Sequence, residues 1–386
     1  MRKNRMRWLL IWTVWVVACR SPQPELVELR GVWLTNIDSQ VLDSRANIAE
    51  AMQFLADHHF NIVYPVVWND AKTLYPSALM DSLFGLPIDP RFAGRDPLAE
   101  VVEEAHQRGI AVVPWFEYGF SSSYRKDGGM ILAKYPHWAA RDREGKLLIK
   151  NGFEWMNAYH PEVQNLLLGL VLEVVRNYAV DGVQGDDRLP AQPIEGGYSE
   201  FTQKLYASEH GGKLPPWDYR DPQWQHWRGD KLNRFVKRLF EAVKAIKPQV
   251  LVTWSPSVYD WSYDEYLQDY PTWIREGHAE LVHPQVYRYD LTAYQKTLLS
   301  QCPDSLKIDP TRVRMYPGIL MNVGSYIIDP GYLLQAIEFN RRNGYNGEVF
   351  FFYEGLRKNQ NALADTLLKT WYRQPARLPF RIASLR

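Results

Sequence analysis

Residues 96–120, DPLAEVVEEAHQRGIAVVPWFEYGF, contain the pattern that decides the fold. Residues 96–108 begin with the cap pair Asp96-Pro97 and stop before a glycine, which predicts an amphipathic helix. Residues 110–120 then form a β-rich run that holds one glutamate, Glu117, among apolar side chains. A helix that leads directly into a buried strand is typical of folds built on parallel sheets.

The same alternation of short β-rich runs and longer amphipathic runs continues along the chain. Eight strands are predicted, at residues 30–37, 61–68, 110–120, 181–187, 250–257, 281–288, 315–322 and 347–354. Helices are predicted between them at residues 44–59, 96–108, 161–178, 222–247, 292–301 and 330–343. This pattern predicts an α/β fold, a (β/α)8 TIM barrel, with enlarged loops after strands 2, 3 and 4 at residues 70–95, 121–160 and 188–221.

A doubly wound open sheet is the alternative architecture. It is disfavoured, together with nucleotide binding, because residues 30–39, RGVWLTNIDS, hold a single glycine and no Gly-rich phosphate turn. One barrel domain is expected at residues 28–371, with a C-terminal extension at 372–386 that packs against it. Residues 257–280 are expected to be irregular, and no second domain is predicted.

Composition excludes a strongly charged binding protein. The chain has 386 residues, with 45 Lys+Arg and 44 Asp+Glu, so its charge does not indicate a nucleic-acid partner. The aromatic content of 14%, with 15 Trp and 23 Tyr, fits a concave surface that stacks flat apolar faces. Most of these rings are nevertheless expected to be ordinary core.

The N-terminus predicts export. Four basic residues within the first seven positions precede an apolar run at 8–18, which is shorter than the ~20 residues needed to span a bilayer. Residues 1–18 are therefore predicted to be a signal peptide. Residues 16–19, VVAC, resemble the bacterial lipobox, which implies a lipidated Cys19 and a tether at 19–27. An ordinary signal peptide followed by a chance cysteine is the alternative.

The predicted lipidation of Cys19 indicates where the protein is located in the cell. Several acyl chains on Cys19 would anchor the protein stably to a membrane of the cell envelope. Arg20 after the lipidated cysteine implies export to the outer membrane, facing the periplasm, by resemblance to Gram-negative lipoproteins. Only Cys302 would then remain as a thiol, so no internal disulfide is expected.

Carboxylates dominate the polar residues at the predicted strand ends, where barrel enzymes keep their chemistry. Strand 3 holds Glu117 and strand 4 ends in Asp186 and Asp187. Cleavage of a glycosidic bond needs one carboxyl group to protonate the leaving oxygen and a second, ionised one to attack or to direct water. These three acids are the catalytic candidates. The structural alternatives are a helix cap with ion pairing to Arg188 for the two aspartates, and an ion pair for Glu117.

Motifs for other chemistries are absent from the sequence. There is no HxH, HExxH or CxxC, and no GxSxG nucleophile elbow. We therefore expect neither a metal nor an organic cofactor.

Several ordered motifs resemble the glycosyl-hydrolase-like ten family of bacterial envelope proteins, whose barrel is akin to that of the alpha-amylase clan. They are ELRGVWLT at 28–35, NIVYPVVW at 61–68, PWFEY at 114–118, DGVQGDD at 181–187 and PQVY at 284–287. The resemblance implies a glycoside hydrolase. One type in the family is an outer-membrane lipoprotein that cuts peptidoglycan glycan strands stripped of their stem peptides, and the lipobox makes this chain similar to that type.

The resemblance also implies roles for the acids. The strand 4 motif is similar to the Gly-aromatic-Arg-x-Asp of the amylase clan, which puts Asp186 at the position of the nucleophile. Gln184 and Gly185 depart from the usual ten-family form, which has His and then a bulky residue before the two acids. Glu117 is typical of the ten family and is the expected proton donor, with Asp187 as the alternative.

We therefore predict a glycoside hydrolase acting on an N-acetylated glycan, with peptidoglycan strands lacking stem peptides as the foremost substrate. A non-catalytic glycan-binding lipoprotein and a hydrolase of an α-glucan are the alternatives. Aromatic rings pack well against the C–H faces of sugars. The predicted substrate-binding residues are Trp33, Asn36, Trp68, Trp115, Tyr118, Tyr287 and Glu354.

Overall fold

The computed structural model describes residues 25–312 and 314–382. Within them the strands are β1 Leu29–Leu34, β2 Ile62–Pro65, β3 Trp68–Asn69, β4 Lys72–Thr73, β5 Ala111–Val112, β6 Trp115–Phe116, β7 Ser121–Tyr124, β8 Ile149–Lys150, β9 Phe153–Trp155, β10 Gly182–Gly185, β11 Leu251–Trp254, β12 Leu281–Val282, β13 Gly318–Leu320, β14 Asn322–Val323, β15 Tyr326–Ile327 and β16 Gly347–Phe351. The α-helices are α1 Arg45–Asp57, α2 Ala78–Phe84, α3 Pro97–His106, α4 Gly129–Lys134, α5 Pro161–Asn177, α6 Glu200–Glu209, α7 Pro222–Ile246, α8 Trp261–Tyr266, α9 Tyr270–Arg275, α10 Leu291–Ser300, α11 Pro330–Arg342 and α12 Tyr353–Lys369. Short 3-10 helices lie at Pro90–Phe92, Pro136–Trp138 and Pro310–Arg312.

Two parallel sheets form the centre of the molecule. One has five strands in the order β13-β16-β1-β2-β5, and the other has four in the order β12-β11-β10-β6. Isolated parallel bridges link strands of the two sheets, between Val66 and Trp115 and between Val282 and Met315. Each of the eight predicted stretches contributes a parallel strand, with β5 and β6 both coming from the third. The predicted α/β class is confirmed.

The six predicted helices are present and end within two residues of the predicted bounds, as α1, α3, α5, α7, α10 and α11. Each begins at a side chain that accepts a hydrogen bond from a backbone N–H of the first turn: Ser44, Asp96, His160, Asp221, Asp290 and Asp329. Such caps satisfy donors that have no partner inside the helix, which is why they mark helix starts so reliably.

Other elements differ from the prediction. Residues 257–280, expected to be irregular, contain α8 and α9, which have six residues each and are too short to show a helical repeat. Helix α12 follows β16 and was not predicted. Its backbone leaves helical geometry over residues 358–361, so its apolar pattern is broken in the middle. Antiparallel pairing adds small sheets of β3 with β4, β7 with β9 and β8, and β14 with β15.

The two ends of the described chain lie side by side. Val27 forms a parallel bridge with Arg377, and the buried Tyr372 ring lies 4.1 Å from the guanidinium of Arg30. Residues 372–382 thus pack against the strand that opens the fold, and the domain boundaries at 28 and 371 stay predictions. The predicted signal peptide, Cys19 and most of the tether lie outside the described residues. No helix in the described part is long and apolar enough to cross a membrane.

Candidate active site

Strand alternation directs side chains of β10 and β1 toward one interior. Residues two apart on a strand face the same side, so Gln184 and Asp186 share a face at β10. Gln184 is buried and accepts a hydrogen bond of 2.7 Å from the indole of Trp33, on β1. Asp186, one step further toward the carboxyl end, therefore lies above a packed interior.

Asp186 is nearly inaccessible and surrounded by donors. The residue is 2% exposed. Its Oδ1 accepts hydrogen bonds from the backbone N–H of Asp187 at 2.7 Å, from Gln285 Nε2 at 2.8 Å and from the hydroxyl of Ser255 at 3.4 Å. Burial raises the pKa of Asp186 well above its usual value, and the charge of Asp187 raises it further. The donors to the charged form act in the opposite direction.

Glu117 occupies the corresponding place at the end of β6. Its side chain is 17% exposed, and its Oε2 accepts a short hydrogen bond from Asn69 Nδ2, on β3. Burial raises the pKa of Glu117, while the charge of Arg188 and the bond from Asn69 partly oppose that rise. Glu117 is thus the more accessible of these two acids and has fewer donors.

One arginine joins all three candidate acids. Nη2 of Arg188 lies 3.4 Å from Glu117 Oε1 and 3.2 Å from Asp186 Oδ2, and Nη1 lies 3.2 Å from Asp187 Oδ1. Because Glu117 and Asp186 contact the same nitrogen, those two oxygens are at most about 6.6 Å apart, an upper limit that admits the carboxyl spacing of a retaining glycosidase. The guanidinium also lies over the ring of Phe153, at 4.6 Å.

These contacts are relevant to both hypotheses for the three acids, the structural one and the catalytic one. The ion pairs with Arg188 are those that the structural alternative predicts for Asp186, Asp187 and Glu117. Burial alone would lower the pKa of Arg188, but the charges of the three carboxylates raise it, so the arginine stays protonated. The positive charge of Arg188 also allows the carboxylates of Glu117 and Asp186 to lie close together at a partly open strand end. A catalytic pair of acids requires such an approach.

Three of the predicted sugar-stacking rings are interior packing instead. Trp33, Trp68 and Trp115 are at most 3% exposed. The Trp33 ring packs against the rings of Trp115 and Tyr64, and the Trp68 indole donates to the backbone oxygen of Gly119 at 3.1 Å. A ring enclosed on both faces offers nothing to a sugar. The prediction that these three are platforms is therefore corrected, because large side chains fill the interior-facing positions of β1 and β6 and of the buried strand β3.

Tyr118 and Tyr287 lie beside the acids. Tyr287 is half-buried and stacks on Phe351 with ring centroids 5.2 Å apart. Burial raises the pKa of Tyr287, and so do the charges of Asp186, Asp187 and Glu117, in that order. Burial also raises the pKa of Tyr118, whose ring lies 5.8 Å from the Arg188 guanidinium.

Asn36 and Glu354 line a separate cavity. Its volume is about 870 Å³, and it lies beyond the ends of β1 and β16, with Asp38, Glu50, Arg91 and Arg357 also in its wall. Glu354 accepts a hydrogen bond of 2.7 Å from Ser39, and the buried Oδ1 of Asn36 has no partner within the described chain. None of the three acids joined by Arg188 lines this cavity.

Sequence reasoning missed the residues that hold the acids in place. Gln285 lies within the PQVY motif but has no predicted role, Asn69 directly follows the motif at 61–68, and Arg188 is predicted only as an ion-pair partner. Gln285 lies two positions after His283, whose side chain faces the interior. Strand alternation would therefore have placed the Gln285 side chain on the same face. Tyr124 was also missed: it is 38% exposed and its ring lies 5.0 Å from Phe153, which supports Arg188.

Both departures from the usual strand 4 motif have a structural cause. Gln184 meets the Trp33 indole, as described above. Gly185 faces away from that interior, where a Cβ atom would lie 2.5 Å from the backbone oxygen of Leu189 and equally close to the ring of Trp254. Trp254 thus fills the space that a bulky residue at position 185 would need.

Known relatives are glycosyl hydrolases. Glycosyl hydrolase YngK of Bacillus subtilis is 27% identical over 91% of this chain and 73% of its own length. Glycosyl hydrolase DigH of Escherichia coli K12 is 27% identical over 78% of this chain and 74% of its own length.

Solved structures show the same fold. The glycoside hydrolase domain of PgaB (BpsB) from Bordetella bronchiseptica is similar with a TM-score of 0.64 and 15% identity, over 88% of this chain and 99% of that one. Alpha-L-fucosidase isoenzyme 2 from Paenibacillus thiaminolyticus is similar with a TM-score of 0.65 and 20% identity, over 90% of this chain and 49% of that one. At these identities the likeness concerns the fold alone. The sequence pattern of the family described as Glycosyl hydrolase-like 10 matches residues 28–332, and the chain therefore belongs to that family, as its motifs predicted.

Proposed function

We propose that this protein is a glycoside hydrolase in which Asp186 is the ionised carboxylate and Glu117 the proton donor. One observation carries the proposal: acids from two neighbouring strands meet at a single arginine nitrogen, within about 6.6 Å of each other. Asp187 remains the alternative donor, since it is joined to the same arginine.

We infer that the parallel strands close into a (β/α)8 barrel. Two bridges support closure. Met315, just before the edge strand β13, bridges Val282 on the edge strand β12, and Val66, directly after β2, bridges Trp115 on β6, the other edge of the four-stranded sheet. Closure would turn the carboxyl ends of all the strands toward one rim, the location of active sites in such barrels.

Hydrogen-bond donors distinguish the two acids, since burial raises the pKa of both. A proton donor needs a pKa high enough to keep its proton near neutral pH, and burial moves Glu117 in that direction. Burial raises the pKa of Asp186 as well, and the three hydrogen bonds at one of its oxygens oppose that rise, favour the ionised form and fix its orientation. Substrate would approach from the side of Glu117, where the cluster is open to solvent.

The proposed substrate is an N-acetylated glycan, namely peptidoglycan strands that lack stem peptides. Tyr287 and the exposed Tyr124 are the proposed stacking rings, since Tyr287 lies near the carboxylates and Tyr124 contacts Phe153, whose ring lies under Arg188. Tyr118, which is 8% exposed, borders the same site. The cavity bordered by Asn36 and Glu354 would hold sugar units further along a chain. The choice of peptidoglycan, the lipidation of Cys19 and an outer-membrane location rest on the sequence motifs.

The direct test is hydrolysis of defined glycans by the full chain. Denuded glycan strands, intact sacculi and an α-glucan are incubated separately, and soluble oligosaccharides are quantified. We expect products from the denuded strands, and losses of at least about 10²-fold in the Glu117→Gln and Asp186→Asn variants. Glu144→Gln, an exposed change on the connection after β7, is the matched control. Release at the parental rate by both active-site variants would refute the assignment of the acids.

A glycan-binding protein without activity is the second candidate, and the Arg188 ion pairs favour it. In that case no product appears from any glycan. Binding of denuded strands in a co-sedimentation assay would then survive the combined loss of Glu117 and Asp186. If products appear from the α-glucan alone, the proposed hydrolase activity stands and the proposed substrate is wrong.

A further inference from the structure

We infer that His137, His160 and Glu162 form a binding site for a divalent transition-metal ion, with Zn²⁺ as the expected ligand. One nitrogen from each histidine and one carboxylate oxygen lie within 4.8 Å of one another. Two histidines and a glutamate form a common three-ligand set for zinc, which leaves a fourth position for water. The cluster shares no residue with Arg188 and its carboxylates or with the other residues proposed for hydrolysis.

The ligand atoms come from two elements that meet. His137 belongs to the 3-10 helix Pro136–Trp138, His160 caps α5, and Glu162 lies in the first turn of α5. Nε2 of His137 is 3.0 Å from Oε2 of Glu162. Bonds of about 2.0–2.2 Å from a tetrahedral zinc ion to its ligands place neighbouring ligand atoms roughly 3.3 Å apart, so this pair already stands at a suitable separation.

Supporting contacts hold the group together without the ion. The indole of Trp138, a buried side chain, donates to Oε2 of Glu162 at 2.6 Å. The backbone N–H of Asn157 donates to the backbone oxygen of Trp138 at 2.7 Å, and that of His160 donates to the oxygen of Asn157 at 2.9 Å. Orientation of a ligating carboxylate by a buried donor is the usual second layer of a metal site.

His160 would bind through Nε2. Its Nδ1 accepts the backbone N–H of Glu162 at a long 3.3 Å, and its ring packs on Phe201 at 4.6 Å, which fixes the ring plane. When a metal ion binds Nε2, the proton of the imidazole ring moves to Nδ1. Nδ1 can then no longer accept the weak hydrogen bond from the Glu162 N–H, and the metal bond replaces it. The positive end of helix α5 disfavours a cation, and the negative charge of Glu162 at the same place offsets this.

The site escaped sequence analysis because its histidines are 23 positions apart and fall on different elements. Motifs such as HxH and HExxH detect only ligands that share one strand or one helix. Without those motifs, the sequence predicts no metal. Folding brings the three ligands together from separate elements.

Zinc binding by the full chain, prepared without a histidine tag, tests the inference. A chromophoric chelator competes for Zn²⁺, and the thermal midpoint is recorded with and without zinc. We expect one ion per chain, a midpoint that rises with zinc concentration, and loss of both effects in His137→Ala and His160→Ala. Trp138→Phe keeps the ring but removes the donor, and should weaken binding by about 10–100-fold.

His226→Ala is the matched control, because His226 is an exposed histidine with one acidic neighbour, Asp230, at 3.7 Å. It should bind zinc as the parent does. Circular dichroism shows whether each variant is folded. No stoichiometric zinc binding by the parent, or unchanged affinity in folded His137→Ala and His160→Ala variants, would overturn the inference.

Discussion

Replacing Gly185 by alanine is expected to destabilise the protein and to misplace Asp186. Gly185 pairs with Trp254 across β10 and β11. An added Cβ would lie 2.5 Å from both an atom of the Trp254 ring and the backbone oxygen of Leu189. Real Cβ atoms do not approach other atoms so closely, so one of the two neighbours has to move.

Neither neighbour can move easily. The Trp254 ring is 1% exposed, its indole donates to the backbone oxygen of His278 at 3.1 Å, and it packs 5.1 Å from the ring of Trp273. The Leu189 oxygen is backbone. Overpacking of this kind costs about 1–3 kcal/mol in the free energy of unfolding. A displacement of Asp186 by about 1 Å can lower a catalytic rate by roughly 10²-fold.

Urea unfolding followed by circular dichroism measures the effect. Gly169→Ala is the matched control, because the nearest atom to its added Cβ is the end of a half-buried leucine side chain, Leu79, which can rotate. That variant should be neutral or more stable by up to about 1 kcal/mol, since alanine favours helix α5.

A second substitution separates steric clash from other causes. A Trp254→Leu background removes the contact with the Trp254 ring but keeps the one with the Leu189 oxygen, so Gly185→Ala should destabilise less there than in the parent chain. The expected coupling between the two positions is about 0.5–3 kcal/mol. An unfolding midpoint for Gly185→Ala equal to that of the parent, or the same loss in both backgrounds, would refute the steric reasoning.

Three further results are expected. Asn69→Ala removes a hydrogen bond that lowers the pKa of Glu117, so the pKa of Glu117 should rise. The alkaline limb of the pH–rate profile should then move to higher pH. A limb that stays in place or moves to lower pH would contradict the role of Glu117 as proton donor. Arg30→Ala removes one of the two ion pairs of the buried Glu28, whose other partner is Arg341, and should lower the free energy of unfolding in urea by about 1.5–3 kcal/mol. Arg377→Ala, at an exposed pair, should lower it by less than about 1 kcal/mol. Tyr124→Ala should raise KM for long glycan strands while leaving kcat nearly unchanged, and an unchanged KM would remove this ring from the binding surface.

The helices and strands were largely predictable because their signals are local. The cap at Asp329 and the apolar spacing behind it define α11 without any knowledge of its neighbours. The same reasoning failed at α12, where residues 358–361 leave helical geometry, and at α8 and α9, which are shorter than two helical turns. Elements whose regularity is short or interrupted carry too few repeats to stand out from the surrounding sequence.

The site was predictable only in part. Placement at the ends of consecutive parallel strands was enough to put Glu117 and Asp186 near each other, and both do contact Arg188. Which aromatic rings face solvent was not predictable. Trp33 is buried and Tyr124 is exposed, and no composition or spacing distinguishes the two.

By itself, the sequence determined the α/β class, the order of the eight parallel stretches and six helices, and the family, since each follows from local repeats or from residues read in order along the chain. Only the tertiary structure decided that one guanidinium joins three acids, that Trp254 occupies the space beside Gly185, and that His137 meets His160. The physical reason is that these contacts join residues on different elements. Their distances depend on how the strands and connections pack, which no local pattern records.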